Sequence, residues 1–199
     1  MEWDKIWAIN KQVIDPVSAR FTAVANRCTI ELVNGPDAPY ANTVPLHKAK
    51  EDLGNKPLFF ANKIIVERDD AVALAEGEKI TLLKWGNAKV LEKKVADDGS
   101  IALKAELNVE DQDFKGTKKL TWIADVEEAL LPVDLYEYDH LITKKKLEDG
   151  DDVDKLTNHN SKLKTEAIGE GSMRNLKVGD IIQIERRGFF YVDKASLGL

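Results

Sequence analysis

The chain has 199 residues, 43% hydrophobic and 32% charged, enough for one large domain or two small ones with real cores. Its 35 acidic side chains against 29 basic ones leave a net charge of −6, which excludes nucleic-acid binding by bulk charge and restricts any such role to local basic patches. The lone Cys28 excludes an internal disulfide framework, and no apolar run approaches the roughly 20 residues needed to span a bilayer as a helix.

The opening MEWDKIWAINK is neither a basic-then-apolar signal peptide nor an Arg/Ser-rich transit peptide, so an intracellular soluble chain is expected. Trp3, Ile6, Trp7, Asn10, Val13 and Ile14 fall near one face of a helix that Pro16 stops after Asp15. That stripe packs either on the chain's own strands or against a partner segment. RFTAVANRCTIELV (20–33) then alternates as strand, whereas residues 34–57, rich in Gly, Pro and Asn, read as a long loop with little regular structure. Further strands are predicted in LFFANKIIVERDD (58–70) and KITLLKWGNAKVLEKKV (79–95). VADDGSIALKAELNV (95–109) is the clearest hairpin, with Asp98-Gly99 at the turn. KKLTWIADVEEALLPVDLYEYDHLIT (118–143) adds strand punctuated by Pro132, the polar stretch 144–166 reads as loop or short helix, and NLKVGDIIQIERRGFFYVD (175–193) closes the chain. Many short strands and one clear helix predict an all-β barrel or sandwich.

Most chemistry finds no foothold. His47, His140 and His159 lack metal-ligand spacing, and the acidic run Glu148 to Asp154 lacks the alternation of a calcium loop. There is no G-x-S-x-G elbow and no phosphate-cradling glycine loop, and Cys28 reads as a small buried thiol. No catalytic and no metal residue is predicted. What remains are three basic clusters: Lys115, Lys118 and Lys119; Lys144 to Lys146; and Arg186 with Arg187. In DIIQIERRGFFYVD the alternation sends Ile182 and Ile184 inward and Gln183 and Glu185 outward, with an Arg187-Gly188 turn and with Phe189, Phe190 and Tyr191 mostly in the core. Amide and guanidinium groups match base edges, and unpaired RNA bases are read on those edges.

EWDKIWAINKQVIDPVSARFTAV, EGEKITLLKWGNA, KKLTWIADVEEALLPVDLYEYDHLIT and LKVGDIIQIERRGFFYVD together resemble, in order and over nearly the whole chain, the C-terminal half of a eukaryotic-type glutamyl-tRNA synthetase. Glutaminyl enzymes share this half, but Thr121 stands where they are expected to carry a His before the Trp, and the DHLIT ending is glutamyl-like.

The resemblance implies two linked β-barrels of the small ribosomal-protein type that grip the anticodon loop of glutamate tRNA in the cytoplasm. Residues 1–17 would be a helical connector to a catalytic domain outside this chain, the one that uses ATP and Mg, with Trp3 and Trp7 at that junction and no cofactor in the chain itself. Residues 18–199 would form the barrels, roughly 18–112 with 181–199, and 113–180, the last strands being incomplete at KASLGL. Residue by residue, the resemblance implies that Arg20 contacts an anticodon base and that Gln183 and Glu185 line its pocket. It further implies that Asn87 lies near the anticodon loop and that Lys115, Lys118 and Lys119 reach outer bases and phosphates. Arg187, where some glutaminyl enzymes are acidic, is implied as a phosphate or base contact. Other synthetases or scaffold proteins are implied as further partners, with neither DNA nor membrane expected. A protein-docking module and a stand-alone binder of folded RNA are the rival readings.

Overall fold

A computed structural model describes residues 3–196, with side chains from Lys5 onward, so Trp3's place in the apolar stripe and the final residues of KASLGL lie outside the described residues. α1 (Trp3–Ile14) gives way to a single 3-10 turn, Asp15–Val17, with Pro16 at its start, because proline cannot continue the helical hydrogen bonds. Its apolar stripe lies largely open: Ile6 is 38% and Val13 66% exposed, while the Trp7 ring meets His140 edge-on at 5.8 Å. No described helix is long and apolar enough to cross a membrane.

The alternating stretch forms β1 (Ala19–Phe21), β2 (Ala23–Val24) and β3 (Arg27–Leu32). The expected loop 34–57 is more regular than its composition predicts. β4 (Tyr40–Pro45) pairs antiparallel with β5 (Asn55–Phe60), and Tyr40 stacks on Phe60 at 5.0 Å. β4 is almost wholly exposed, so it carries none of the hydrophobic alternation by which a strand is read. β6 (Lys63–Glu67) leads into α2 (Arg68–Ala73), and then β7 (Lys79–Leu82), β8 (Gly86–Val95) and β9 (Ile101–Asn108) follow as a meander. Gly99, at φ +78°, makes the β8–β9 turn predicted for Asp98-Gly99.

β10 (Lys118–Leu120), β11 (Ile123–Ala124) and β12 (Leu130–Tyr138) come next. Pro132 lies inside β12 and does not break it, because β12 is an edge strand and can spare an N–H. α3 (Val153–Leu156) and β13 (Lys162–Glu170) occupy the polar stretch, and β14 (Ile181–Ile184) and β15 (Gly188–Tyr191) form the last hairpin.

The fold is all-β apart from the short helices. A curled sheet runs in the order β10-β7-β8-β9-β3-β6-β11; beside it lie β12-β13-β2, β1-β14-β15 and the β4-β5 ribbon. Two cores result. The larger holds Ile30, Leu32, Ile64, Val66, Ile80 and Leu82; the smaller holds Phe21, Leu135, Ala167, Met173, Ile182 and Ile184. Leu120, Trp122 and Ile123 join the larger core because β10 pairs with β7 and β11 with β6, while Ile182 and Ile184 join Leu135 and Ala167.

One buried ion pair stitches the cores together. Lys56 of β5 donates from Nζ to Glu170 at the end of β13 and, at 2.5 Å, to the carbonyl of Arg20 in β1, and it lies 4.7 Å above the Phe21 ring. Glu170 also accepts from Ser172 Oγ at 2.6 Å and from the Thr22 N–H at 3.3 Å. Burial pushes the Lys56 pKa down, and Glu170 opposes that shift. Two charges taken out of water hold only if each remains fully partnered. Lys56→Met and Glu170→Gln are each expected to cost about 3–5 kcal/mol in urea denaturation, with the double variant costing less than the two together. Strict additivity would show that the two side chains do not act as a pair.

Candidate nucleic-acid interface

β14 runs between β1, to which it is parallel, and β15, to which it is antiparallel. The registers align three rows across the sheet: Ala19–Ile182–Phe190, Arg20–Gln183–Phe189 and Phe21–Ile184–Gly188. Side chains alternate across a strand, so burial of Ile182 and Ile184 turns the first and third rows inward and leaves the middle one outward. Arg20, Gln183 and Phe189 are each half-buried on that outer face. The Gln183 amide makes no hydrogen bond to any described residue, and Arg20 Nε is a buried donor without a partner among them.

The hairpin differs from expectation at its end. The turn is Glu185–Arg187, with Arg186 in the left-handed region at φ +69°, and Gly188 already belongs to β15. The aromatics are also less buried than predicted. Phe190 packs on the smaller core, Phe189 is half-buried on the outer face, and Tyr191 is 61% exposed.

Every cation of this face is tethered to a carboxylate. Arg20 Nη2 lies 3.3 Å from Asp15, Lys84 Nζ 3.1 Å from Glu185, and Arg187 Nη2 2.8 Å from Glu67. Arg186 meets Asp70 in two-point fashion, and those bonds hold its guanidinium pKa above the usual value. Glu185 also accepts from Thr22 Oγ1 at 3.2 Å, and Glu67 from the Ala25 N–H at 3.0 Å. Thr22, Glu67, Asp70 and Lys84 were missed by sequence reasoning. Only Lys84 carried a signal, in the turn-forming KWGN, where its φ is +67°. Behind that turn Trp85 packs on Trp122 at 4.7 Å, and Trp122 Nε1 donates to the Leu83 carbonyl at 2.9 Å, which fixes the turn's direction.

Asn87 is not a surface residue. It is 1% exposed; its Oδ1 accepts from Thr81 Oγ1 at 2.7 Å and its Nδ2 donates to the carbonyls of Asp111 and Asp113, both at 2.9 Å. With both amide hydrogens donated and its side chain sealed from solvent, Asn87 positions the loop 109–117. Lys79 ties Asp111 at 2.7 Å, and that hydrogen bond holds the Asp111 carboxyl below its usual range. Lys119 donates to the Phe114 carbonyl and, at 2.9 Å, to that of Thr117, so it caps the same loop. Lys118 pairs with Glu78 at 2.8 Å and donates to the Ala73 carbonyl. Of the three lysines, only Lys115 has an ammonium without a partner among the described residues.

The structure thus brings Arg20, Gln183, Glu185 and Arg187 to one face of one small sheet, and it sets Lys115, Lys118, Lys119 and Asn87 around a separate loop. A guanidinium and an unbonded amide side by side, flanked by an aromatic ring, present donors, an acceptor and a flat surface to a base edge. The β7–β8 hairpin links the two places: its Lys84 touches Glu185, while its Thr81 and Asn87 hold the loop.

Two family models, both described as anti-codon binding domains of class I (E and Q) tRNA synthetases, match residues 18–117 and 119–193. Over 197 residues, 97% of this chain, it is 48% identical to the cytoplasmic glutamate–tRNA ligase of Arabidopsis thaliana and 44% identical to a probable one of Schizosaccharomyces pombe. It spans 27% of the length of each. A bifunctional glutamate/proline–tRNA ligase of Mus musculus is 41% identical over 98% of the chain, which spans 13% of that protein. From residue 18 to residue 193 the all-β fold, the outer row of β1-β14-β15 and these matches describe one module, and the chain belongs to the anticodon-binding domain family of class I glutamyl and glutaminyl tRNA synthetases.

Proposed function

We propose that this chain is the part of a cytoplasmic glutamate–tRNA ligase that reads the anticodon of glutamate tRNA, and that it forms two barrels around the two cores. The observation that carries the reading is the row Arg20–Gln183–Phe189, in which an unbonded amide lies in register between a guanidinium and an aromatic ring. Arg20 and Gln183 contact a base edge, Glu185 and Thr22 close one end of the pocket, and Arg187 contacts phosphate or base from the turn.

Joining glutamate to its tRNA with ATP and Mg²⁺ belongs, in this proposal, to a catalytic region outside the chain. Glutamate and glutamine tRNAs differ at the third anticodon base, C against G. One good two-point base contact discriminates by roughly 1–3 kcal/mol, so a few rigid groups provide useful selectivity far from the reaction.

A second reading concerns α1 alone. The exposure of Ile6 and Val13 along its stripe supports docking of α1 against another protein segment, without touching the assignment of the sheet face.

Titration with glutamate tRNA, and with the same tRNA carrying G for C at the third anticodon position, tests the main reading. The unchanged tRNA is expected to bind more tightly, and Arg20→Ala to weaken it by roughly 1–3 kcal/mol. Preference for the changed tRNA would move the chain to glutamine tRNA, and indifference would leave only phosphate attraction. The salt dependence provides a further prediction. Lys115→Ala is expected to lower the slope of log affinity against log salt by about 0.7, the value for one contact to single-stranded nucleic acid. Equal slopes in wild type and Lys115→Ala would remove Lys115 from the phosphate path.

A further inference from the structure

The loop 109–117 is held more firmly than a surface connection requires. Besides the bonds from Asn87, Lys79 and Lys119, Gln112 Nε2 donates to the Val109 carbonyl at 2.9 Å and the Asp113 N–H to Asp111 Oδ1 at 2.9 Å. The Lys115 N–H donates to Asp113 Oδ1 at 3.1 Å, and Thr117 Oγ1 to the Phe114 carbonyl at 3.1 Å. Thr81 Oγ1 lies 2.5 Å from Thr117 Oγ1, which fastens the far end of the loop to β7. Gly116, at φ +70° with open space where a Cβ would stand, turns the chain back. Two side chains remain outside this network at the tip: Phe114, 39% exposed, and Lys115.

We infer that Phe114 is a stacking platform for an unpaired RNA base, next to the phosphate contact already proposed for Lys115. The inference rests on the reading of this chain as an RNA-binding module. An exposed aromatic on a loop whose backbone is already fixed loses little entropy on binding, and its flat face accepts any base. The adjacent unpaired ammonium favours a polyanion over an apolar protein surface. Location agrees. Thr81 holds the loop and Lys84 touches Glu185, and these positions are three residues apart in one hairpin, at most about 10 Å along an extended backbone. The loop and the Glu185 turn are therefore both fastened to one short hairpin.

The test is a titration of wild type, Phe114→Ala, Phe114→Leu, Phe114→Trp and Arg20→Ala with glutamate tRNA. Stacking on an aromatic side chain is lost as roughly five-fold or more in affinity, so Phe114→Ala and Phe114→Leu both bind at least that much more weakly, and Phe114→Trp binds near wild type. Tryptophan emission of Phe114→Trp is quenched by RNA beyond the response of the four tryptophans already present. Melting temperatures are expected to match wild type, since the ring lies at an exposed tip. If Phe114→Ala and wild type bind alike while Arg20→Ala binds weakly, the platform falls and the anticodon reading stands. If Phe114→Leu binds like wild type, an apolar contact has replaced the stack and the platform falls as well. If wild type binds no tRNA at low salt, both readings fall together.

Discussion

The Lys56–Glu170 pair is the constraint on which the functional face depends. Lys56 reaches across from the β4-β5 ribbon to hold the carbonyl of Arg20, and Glu170 holds the N–H of Thr22 from the end of β13. The two backbone groups flanking Phe21 are thus both fixed by this one pair, and Phe21 itself is sealed into the smaller core. Since β1 is only three residues long, it has little ladder of its own to keep it in place. Burying two charges to anchor a three-residue strand adds little to stability by itself, because desolvation offsets most of the attraction. Its effect is positional: the direction of the Arg20 side chain is set by a pair that cannot shift without exposing an unpartnered charge.

Electrostatics on the outer face follow the same logic. An acidic chain cannot attract RNA indiscriminately, and the pairing of Arg20, Lys84, Arg186 and Arg187 with carboxylates removes most local excess charge as well. Such surface pairs contribute little energy, typically up to about 1 kcal/mol, but they restrict where each guanidinium points. A ligand that offers a phosphate or base acceptor in the right place can replace a carboxylate at modest expense, whereas one in the wrong place gains nothing. Selectivity then arises from geometry, and the only described ammonium of the two places left without a partner, that of Lys115, lies at the loop and not in the row.

How much of this was legible depended on whether a feature is local. The α1 boundary at Pro16, the Asp98-Gly99 turn and the inward Ile182 and Ile184 follow from neighbouring residues, and all three are present. β4 was unreadable because its stabilisation comes from pairing with β5 and from one ring stacked on Phe60, not from its own pattern. The grouping of strands into cores was unreadable for the same reason: β10 joins β7 from 36 or more residues away, a relation with no local trace. The burial of Asn87 was unreadable because a buried amide and an exposed one are the same letter. Only the carbonyls of Asp111 and Asp113 arriving beside it decide the matter. Lys118 and Lys119 were taken as one basic patch, yet adjacent residues of a strand point to opposite sides, one to Glu78 and the other to the loop.

The division between the sheet row and the loop has a physical rationale. Reading a base edge needs donors and acceptors held within a few tenths of an ångström, which a sheet with three aligned registers provides and a free loop does not. Stacking tolerates any base, so it suits a loop tip, provided the tip is rigid enough that ordering it does not consume the gain. The fold satisfies both conditions through one element. The β7–β8 hairpin meets the Glu185 turn through Lys84 and the loop through Thr81 and Asn87, and the Trp85–Trp122 contact locks it into the larger core. Any displacement of that hairpin moves both proposed contact points together, so the spacing between them is set by the core.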